Sequence, residues 1–115
     1  DTPIPGAALF SAPEYFLGNV GTERSDLFSL AVLTYYLLCG RYPYGTKLAH
    51  CRTLAEQKKL KYQTALAPNR PIPNWVDSAL KRALHVNPDK RFSALSEFLV
   101  SLRYQIRHSI GRTSR

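Results

Sequence analysis

The sequence predicts an all-α fold in which about four helices surround one buried central helix. Three observations support this prediction. The segment "DLFSLAVLTYYLLC" at 26 to 39, which contains the longest apolar stretch, "LAVLTYYLLC" at 30 to 39, has helix length and leaves no polar stripe. Apolar residues farther along the chain recur three and four positions apart, which is the period of one helix face. No stretch alternates apolar and polar residues as a half-buried strand does.

The first 24 residues are predicted to form an extended, ordered loop. They contain six residues that disfavour regular structure: Pro3, Pro5, Gly6, Pro13, Gly18 and Gly21. Ser25 is then placed to cap the central helix, and Gly40 suits the left-handed position that ends it. Because this helix is apolar on all sides, it is expected to be buried on most sides.

Three further helices follow from the spacing of apolar residues. Residues 48 to 60 are predicted to form a surface helix with Leu48, Cys51, Leu54 and Ala55 on one side. A second helix, 75 to 84, has a narrow apolar face, and a third, 94 to 106, is placed behind Ser93 as its cap. The helical unit is therefore predicted to span 25 to 105, with a basic tail at 106 to 115.

Composition narrows the function classes. The 115 residues are 44% hydrophobic, enough for one packed core. The net charge of +8 is uneven: residues 1 to 40, with one base and four acids, sum to −3, and residues 41 to 115 sum to +11. The basic residues are dispersed and no binding signature accompanies them, so a nucleic-acid partner is not expected. A basic helical domain that binds nucleic acid or anionic lipid stays open as an alternative that charge alone supports.

Cysteines and histidines indicate no metal site and no catalytic residue. Cys39 and Cys51 form no CxxC pair, and the three histidines, His50, His85 and His108, stand far apart. A reducing cytoplasm is therefore the expected location. The longest apolar stretch falls short of the roughly 20 residues that cross a bilayer. The arginines of the tail nevertheless leave the cytoplasmic face of a membrane as an alternative for a longer parent protein.

Three motifs in order bear a family resemblance. They are "SAPEY" at 11 to 15, "SDLFSLAVLTYYLLCGRYPY" at 25 to 44 and "ALKRALHVNPDKRFS" at 79 to 93. Together they resemble the C-terminal helical lobe of a Ser/Thr protein kinase domain over residues 6 to 105. "APEYFLG", "RSDLFSLAV" and "SALSEFLVSLR" are also similar to the kinase half of bacterial proteins that join a metal-dependent phosphatase to a kinase-like domain. The resemblance implies a partial lobe that starts with the end of an activation segment.

The resemblance also implies which residues form the site. Glu14 of the Ala-Pro-Glu motif would pair with Arg91, since a bidentate guanidinium best offsets the lost hydration of a buried carboxylate. The alternative is an exposed glutamate worth under about 1 kcal/mol. Asp26 would hold the catalytic loop in a whole kinase, or otherwise complement the helix dipole. The peptide-docking loop would comprise Ala7, Phe10, Ser11, Ala12 and Pro13.

Motifs for phosphoryl transfer are absent from these 115 residues. There is no Gly-x-Gly-x-x-Gly, His-Arg-Asp or Asp-Phe-Gly, so the chain by itself is not expected to bind ATP or to catalyse. A complete parent kinase would use ATP and Mg²⁺. Ala7 stands where the family usually has a threonine that contacts the catalytic Asp. This departure leaves open a non-catalytic, pseudokinase-like module that binds a protein through the loop and residues 48 to 60.

The expected partners follow from the same resemblance. They are the kinase N-lobe and catalytic-loop region, together with a protein substrate or other protein partner. The helix and loop that cover one side of the central helix in a complete lobe are not encoded here. The chain alone is therefore expected to self-associate through that side.

Overall fold

The computed structural model describes the backbone of residues 6 to 113 and the side chains of residues 6 to 104. Within this range there are five α-helices: α1 (Pro13–Phe16), α2 (Glu23–Cys39), α3 (Leu54–Lys58), α4 (Asn74–Ala83) and α5 (Leu95–Thr113). Short 3₁₀ turns span Gly6–Phe10, Leu48–His50 and Pro88–Lys90. The described residues contain no strand, only an isolated bridge between Ala67 and Arg70. The predicted all-α class is confirmed.

Helix α2 is the centre of the fold and packs against both α4 and α5. It starts two residues before the predicted cap, because the true N-cap is Thr22. Ser25 lies inside the first turn, where its Oγ accepts a hydrogen bond from the Thr22 N–H at 3.0 Å. The predicted end is confirmed: Gly40 has φ 71° and closes the helix in the left-handed conformation. The side facing the core presents Leu27, Phe28, Ala31, Val32 and Tyr35.

The prediction that α2 is buried on most sides is wrong for its other face. Large apolar side chains there are exposed: Leu30, Leu33, Tyr36, Leu37 and Leu38. Leu37 is the extreme case, with 74% of its surface accessible. Helix α2 is thus apolar on all sides but covered on one.

Across the residues described, no helix combines the length and apolar character needed to cross a membrane.

The segment before α2 is not the extended loop that its prolines and glycines predict. It contains the 3₁₀ turn Gly6–Phe10 and the helical turn α1. Pro13 opens α1, since the first helical position needs no N–H donor and proline already has the required φ. The ring of Phe10 packs edge-on against Tyr36 and Tyr42, with centroids 6.3 and 5.6 Å away. Predicted loop residues 1 to 5 lie outside the described range.

The single surface helix predicted for 48 to 60 is also wrong, because the structure divides it into a 3₁₀ turn and α3. Thr53 restarts the helix as a new N-cap: its Oγ1 accepts from the Glu56 N–H at 3.2 Å, and Glu56 Oε1 accepts from the Thr53 N–H at 3.1 Å. The break changes the predicted apolar side. Leu48 and Cys51 are buried, whereas Leu54 and Ala55 are exposed.

The last two helices agree with the sequence except at their ends. Helix α4 begins one residue before the predicted start and buries Ala79, Leu80 and Ala83. Helix α5 begins at Leu95, one residue late, and continues to Thr113. The predicted boundary between the helical unit and the basic tail, at 105 to 106, therefore falls inside one helix. The tail side chains lie outside the described side chains.

The proline-rich loop before α4 is fixed by hydrogen bonds rather than by regular structure. The Asp77 carboxylate accepts from Tyr62 Oη at 2.8 Å, from Thr64 Oγ1 at 2.7 Å and from the Ala65 N–H at 2.7 Å. Burial acts to raise the pKa of Asp77, but these donors outweigh it and hold the pKa below its ordinary value. From α2, Tyr35 Oη donates to the Gln63 carbonyl oxygen at 2.6 Å. The loop is thereby held against both α2 and α4.

The two faces of α2 predict different costs for the same substitution. Leu27→Ala removes a fully buried side chain and should lower the free energy of unfolding by about 2 to 5 kcal/mol. Leu37→Ala, on the exposed face of the same helix, should change it by less than about 0.5 kcal/mol. Urea titrations monitored by circular dichroism would measure both. Equal losses would show that the two faces are buried alike.

Candidate functional site

A buried ion pair joins the Ala-Pro-Glu segment to the turn before α5. Arg91 Nη1 lies 2.8 Å from Glu14 Oε2, and Arg91 Nη2 lies 2.9 Å from Glu14 Oε1. The two parallel bonds form a bidentate pair, the geometry in which a guanidinium matches a carboxylate best. The Arg91 side chain is 0% exposed and that of Glu14 is 8% exposed. The structure thus brings together the two residues that the motifs singled out, 77 positions apart.

The Arg91 guanidinium is surrounded by further acceptors. Its Nε donates to the His85 carbonyl oxygen at 2.6 Å, and Nη1 donates to the Arg24 carbonyl oxygen at 3.1 Å. Nη2 lies 3.4 Å from the Val86 carbonyl oxygen, and the guanidinium carbon sits 4.9 Å from the centre of the Phe28 ring. A buried cation is costly unless its donors are used. Here the backbone of the loop after α4, the first turn of α2 and a core aromatic ring supply those partners.

Ser25 is a site residue that the sequence analysis missed. Its Oγ donates to Glu14 Oε2 at 2.7 Å while accepting from the Thr22 N–H. Burial acts to raise the pKa of Glu14, but the hydrogen bonds from Arg91 and Ser25 outweigh it and hold the pKa below the ordinary 4.5. Glu14 is therefore a stabilised carboxylate. Because serine is also a common helix cap, its position alone did not separate the two roles.

The predicted docking residues precede Glu14 in the chain, and their exposure to solvent increases with distance from it. Ala12 and Pro13 are buried, Phe10 and Ser11 are half-buried, and Ala7 is exposed. The Ala7 carbonyl oxygen accepts a long hydrogen bond of 3.4 Å from Ser11 Oγ. The inner part of the segment is anchored to α2 and to the ion pair. The outer part, near Ala7, is open to another molecule.

Gln57 of α3 is a second residue that the sequence analysis missed. It is 1% exposed, and its Nε2 donates to the Pro13 carbonyl oxygen at 2.7 Å. Its position in a helix of polar residues gave no signal, since glutamine is ordinarily exposed. The bond fixes α3 against the Ala-Pro-Glu segment from the side opposite α2. Three elements thus hold one short segment.

Asp26 lies apart from the ion pair. It is exposed on the first turn of α2, and its carboxylate has no hydrogen-bond or ion-pair partner among the described residues. Its place in the first helical turn complements the helix dipole. The role in holding a catalytic loop stays a prediction, because that loop is not among these residues.

The described side chains offer no cluster for a metal ion. No three His, Cys, Asp or Glu side chains between residues 6 and 104 come together as ligands. The buried carboxylate of Glu14 and the half-buried one of Asp77 are both fully engaged with donors of the protein. Cys39 and Cys51 are free thiols. The tail residue His108 lies outside the described side chains.

Removing Arg91 tests how much the fold depends on the pair. Arg91→Ala should lower the free energy of unfolding by roughly 3 to 5 kcal/mol, because it strands the Glu14 carboxylate in the interior. Arg24→Ala is the matched control: it removes a guanidinium whose ion pair with Asp89, at 3.1 Å, is exposed, and should cost under about 1 kcal/mol. Chemical denaturation measures both. An Arg91→Ala loss no larger than that of the control would contradict the buried pair.

The depressed pKa of Glu14 predicts a specific acid sensitivity. Because this pKa lies below that of the unfolded chain, ionised Glu14 stabilises the fold above about pH 4.5, and this stabilisation is lost as the pH falls through the folded-state pKa. Glu14→Gln should remove this part of the pH dependence, whereas Glu97→Gln, which removes an exposed carboxylate on α5, should retain it. Unfolding titrations at a series of pH values from neutral to well below 4.5 measure the difference. Identical pH profiles for both variants would refute the assignment.

The sequence of this chain is similar to those of known protein kinases. The model of the protein kinase domain family matches residues 2 to 101. The serine/threonine-protein kinase PknD of Chlamydia pneumoniae is 26% identical over 106 residues, 92% of this chain and 11% of that kinase. PknD of Chlamydia muridarum is 29% identical over 112 residues, 97% of this chain and 12% of that kinase.

The chain spans about a tenth of the length of these relatives. They are named as kinases alone, so the joined phosphatase that the sequence suggested stays a prediction. The family match covers most of the chain, including both residues of the buried ion pair. This chain therefore belongs to the protein kinase domain family.

Proposed function

We propose that this chain forms the peptide-docking and scaffolding part of the helical lobe of a Ser/Thr protein kinase. The bidentate Glu14–Arg91 pair is the observation that carries the proposal, because it ties the end of the docking segment to the last helices. A loop that positions a peptide must be held by rigid elements. The names of the relatives support the substrate class, a serine or threonine of a protein.

The docking surface in this proposal runs from Ala7 to Pro13. Its inner end, Ala12 and Pro13, is buried and anchored, whereas Ala7 and part of Ser11 face outward. An incoming peptide would contact the outer residues and the Phe10 ring that rests on Tyr42. The rigid inner end would keep this surface at a constant distance from the core.

ATP and Mg²⁺ do not fit the residues described here. The described carboxylates form no metal cluster, and the chain contains no glycine-rich phosphate loop. We therefore assign nucleotide and metal binding to other parts of a longer kinase. The exposed face of α2 supports this division, since Leu33, Leu37 and Asp26 are all open to a further part of the domain. The free cysteines agree with a reducing cytoplasm as the site of action.

A second candidate is a non-catalytic kinase-like module that binds a protein partner. Ala7 favours it, because an alanine supplies no hydroxyl where the family usually has threonine. In this case the same rigid segment would recognise a partner without any phosphate transfer. An assay of phosphate transfer distinguishes the two candidates.

Phosphate transfer should require more than this chain. Purified protein from the full reading frame, given radiolabelled ATP, Mg²⁺ and a general Ser/Thr substrate such as casein, should incorporate label, whereas the 115-residue chain alone should not. In the full-length protein, Arg91→Ala should lower incorporation far more than the control Arg24→Ala. A full-length protein that binds a partner but never transfers phosphate would favour the non-catalytic module. Transfer by the chain alone would contradict both candidates.

The exposed face of α2 predicts self-association of the isolated chain. Five large apolar side chains on one helix form a patch that soluble monomers rarely expose. We expect a symmetric pairing of these faces, detectable as a mass that rises with concentration in multi-angle light scattering. Leu33→Lys with Leu37→Lys should return the chain to a monomer. A chain that is folded and monomeric at every concentration would contradict the pairing.

A further inference from the structure

A cavity of about 520 Å³ lies beside the ion pair, and no residue of α2 lines it. Its walls come from three separate segments: the loop after α1, helix α3, and the turn that runs from His85 to Lys90. Glu14 and Gln57 lie at its base. This volume is in the range of natural ligand sites, roughly 300 to 1,000 Å³. None of the residues of the proposed docking surface, Ala7 to Pro13, lines this cavity.

The charge of the cavity is positive. Its one carboxylate, Glu14, is already neutralised by Arg91. Lys58 and Lys90 line two different walls, on α3 and on the turn before α5, and neither ammonium has an ion-pair or hydrogen-bond partner in the described part of the chain. Two uncompensated cations beside a recess favour an anionic ligand.

The remaining walls are apolar and contain amide groups. The side chains of Leu17, Leu54 and Val86 line these walls. Leu54 is 52% exposed, so its side chain is accessible to a ligand. Gln57 has an Oε1 without a hydrogen-bond partner among the described residues, but this atom is closed off from solvent and adds no open acceptor to the cavity. No Phe, Tyr or Trp lines the cavity, which disfavours a nucleobase, since bases stack on aromatic side chains.

We propose that this cavity binds a short acidic peptide segment of a protein partner. One leucine-sized side chain of the peptide would pack against Leu17, Leu54 and Val86, while flanking carboxylates would meet Lys58 and Lys90. The apolar walls distinguish this ligand from a simple inorganic anion, and the missing aromatic rings distinguish it from a nucleic acid. The site is a second protein-binding surface that needs no ATP.

Fluorescence polarisation tests the proposal with a labelled peptide in which Glu-Asp pairs flank a central leucine. The 115-residue chain should bind it at low salt, and Lys58→Glu combined with Lys90→Glu should weaken binding about tenfold. The matched control, Lys47→Glu combined with Lys61→Glu, makes the same change in net charge at exposed sites away from the cavity and should change binding less than about twofold. Circular dichroism checks that both variants remain folded.

A second pair of measurements tests the apolar part. Leu54→Ser and a peptide with glycine in place of leucine should each weaken binding several-fold, and the peptide with Gln and Asn in place of the acids should not bind. Equal weakening by both lysine pairs would reduce the effect to general charge attraction and overturn the proposal. Absence of binding to the chain, or equally tight binding of single-stranded DNA, would also overturn it.

Discussion

The structure depends on one constraint: a carboxylate placed in the interior must be matched by a guanidinium delivered from the far end of the chain. Glu14 loses most of its hydration in the fold, and Arg91 restores the lost interactions through two parallel hydrogen bonds. Such a pair contributes little net stability compared with an apolar replacement, but it permits only one arrangement of its partners. The remaining donors of Arg91 bind the carbonyl oxygens of Arg24, His85 and Val86. One side chain thereby sets the relative positions of α1, the first turn of α2 and the loop between α4 and α5.

Helix α2 supports these elements. Its inner face is filled by α4 and α5, and its N-terminal turn supplies Ser25 to the ion pair. Its outer face offers apolar side chains that the described chain leaves partly or, at Leu37, mostly exposed. A helix without amphipathic character therefore serves two interfaces. One interface lies within the chain, and the other is open to a further part of a kinase domain or to a second copy.

Sequence patterns predicted the features that follow from apolar periodicity and from strong local signals. The core face of α4 and the left-handed Gly40 belong to this group, because burial and backbone conformation restrict the residue types that fit there. The Glu14–Arg91 pairing followed from the motif resemblance, since nothing local relates residues so far apart. Patterns failed where a short capping signal competes with helix propensity, as at Thr53, which divides the predicted helix in two. They also missed Gln57 and Ser25, whose roles depend on which backbone atoms the fold brings near.

The sequence distance between Glu14 and Arg91 has a consequence for the order of folding. Closing a loop of 77 positions costs entropy that only a largely formed core repays, so the pair is expected to form late. The helices can assemble around α2 before α1 is fixed, and the Ala-Pro-Glu segment then locks onto a completed surface. When the native state opens locally at Arg91, this segment loses its anchor. The proposed docking surface would therefore be present only while the turn before α5 holds Arg91 in place.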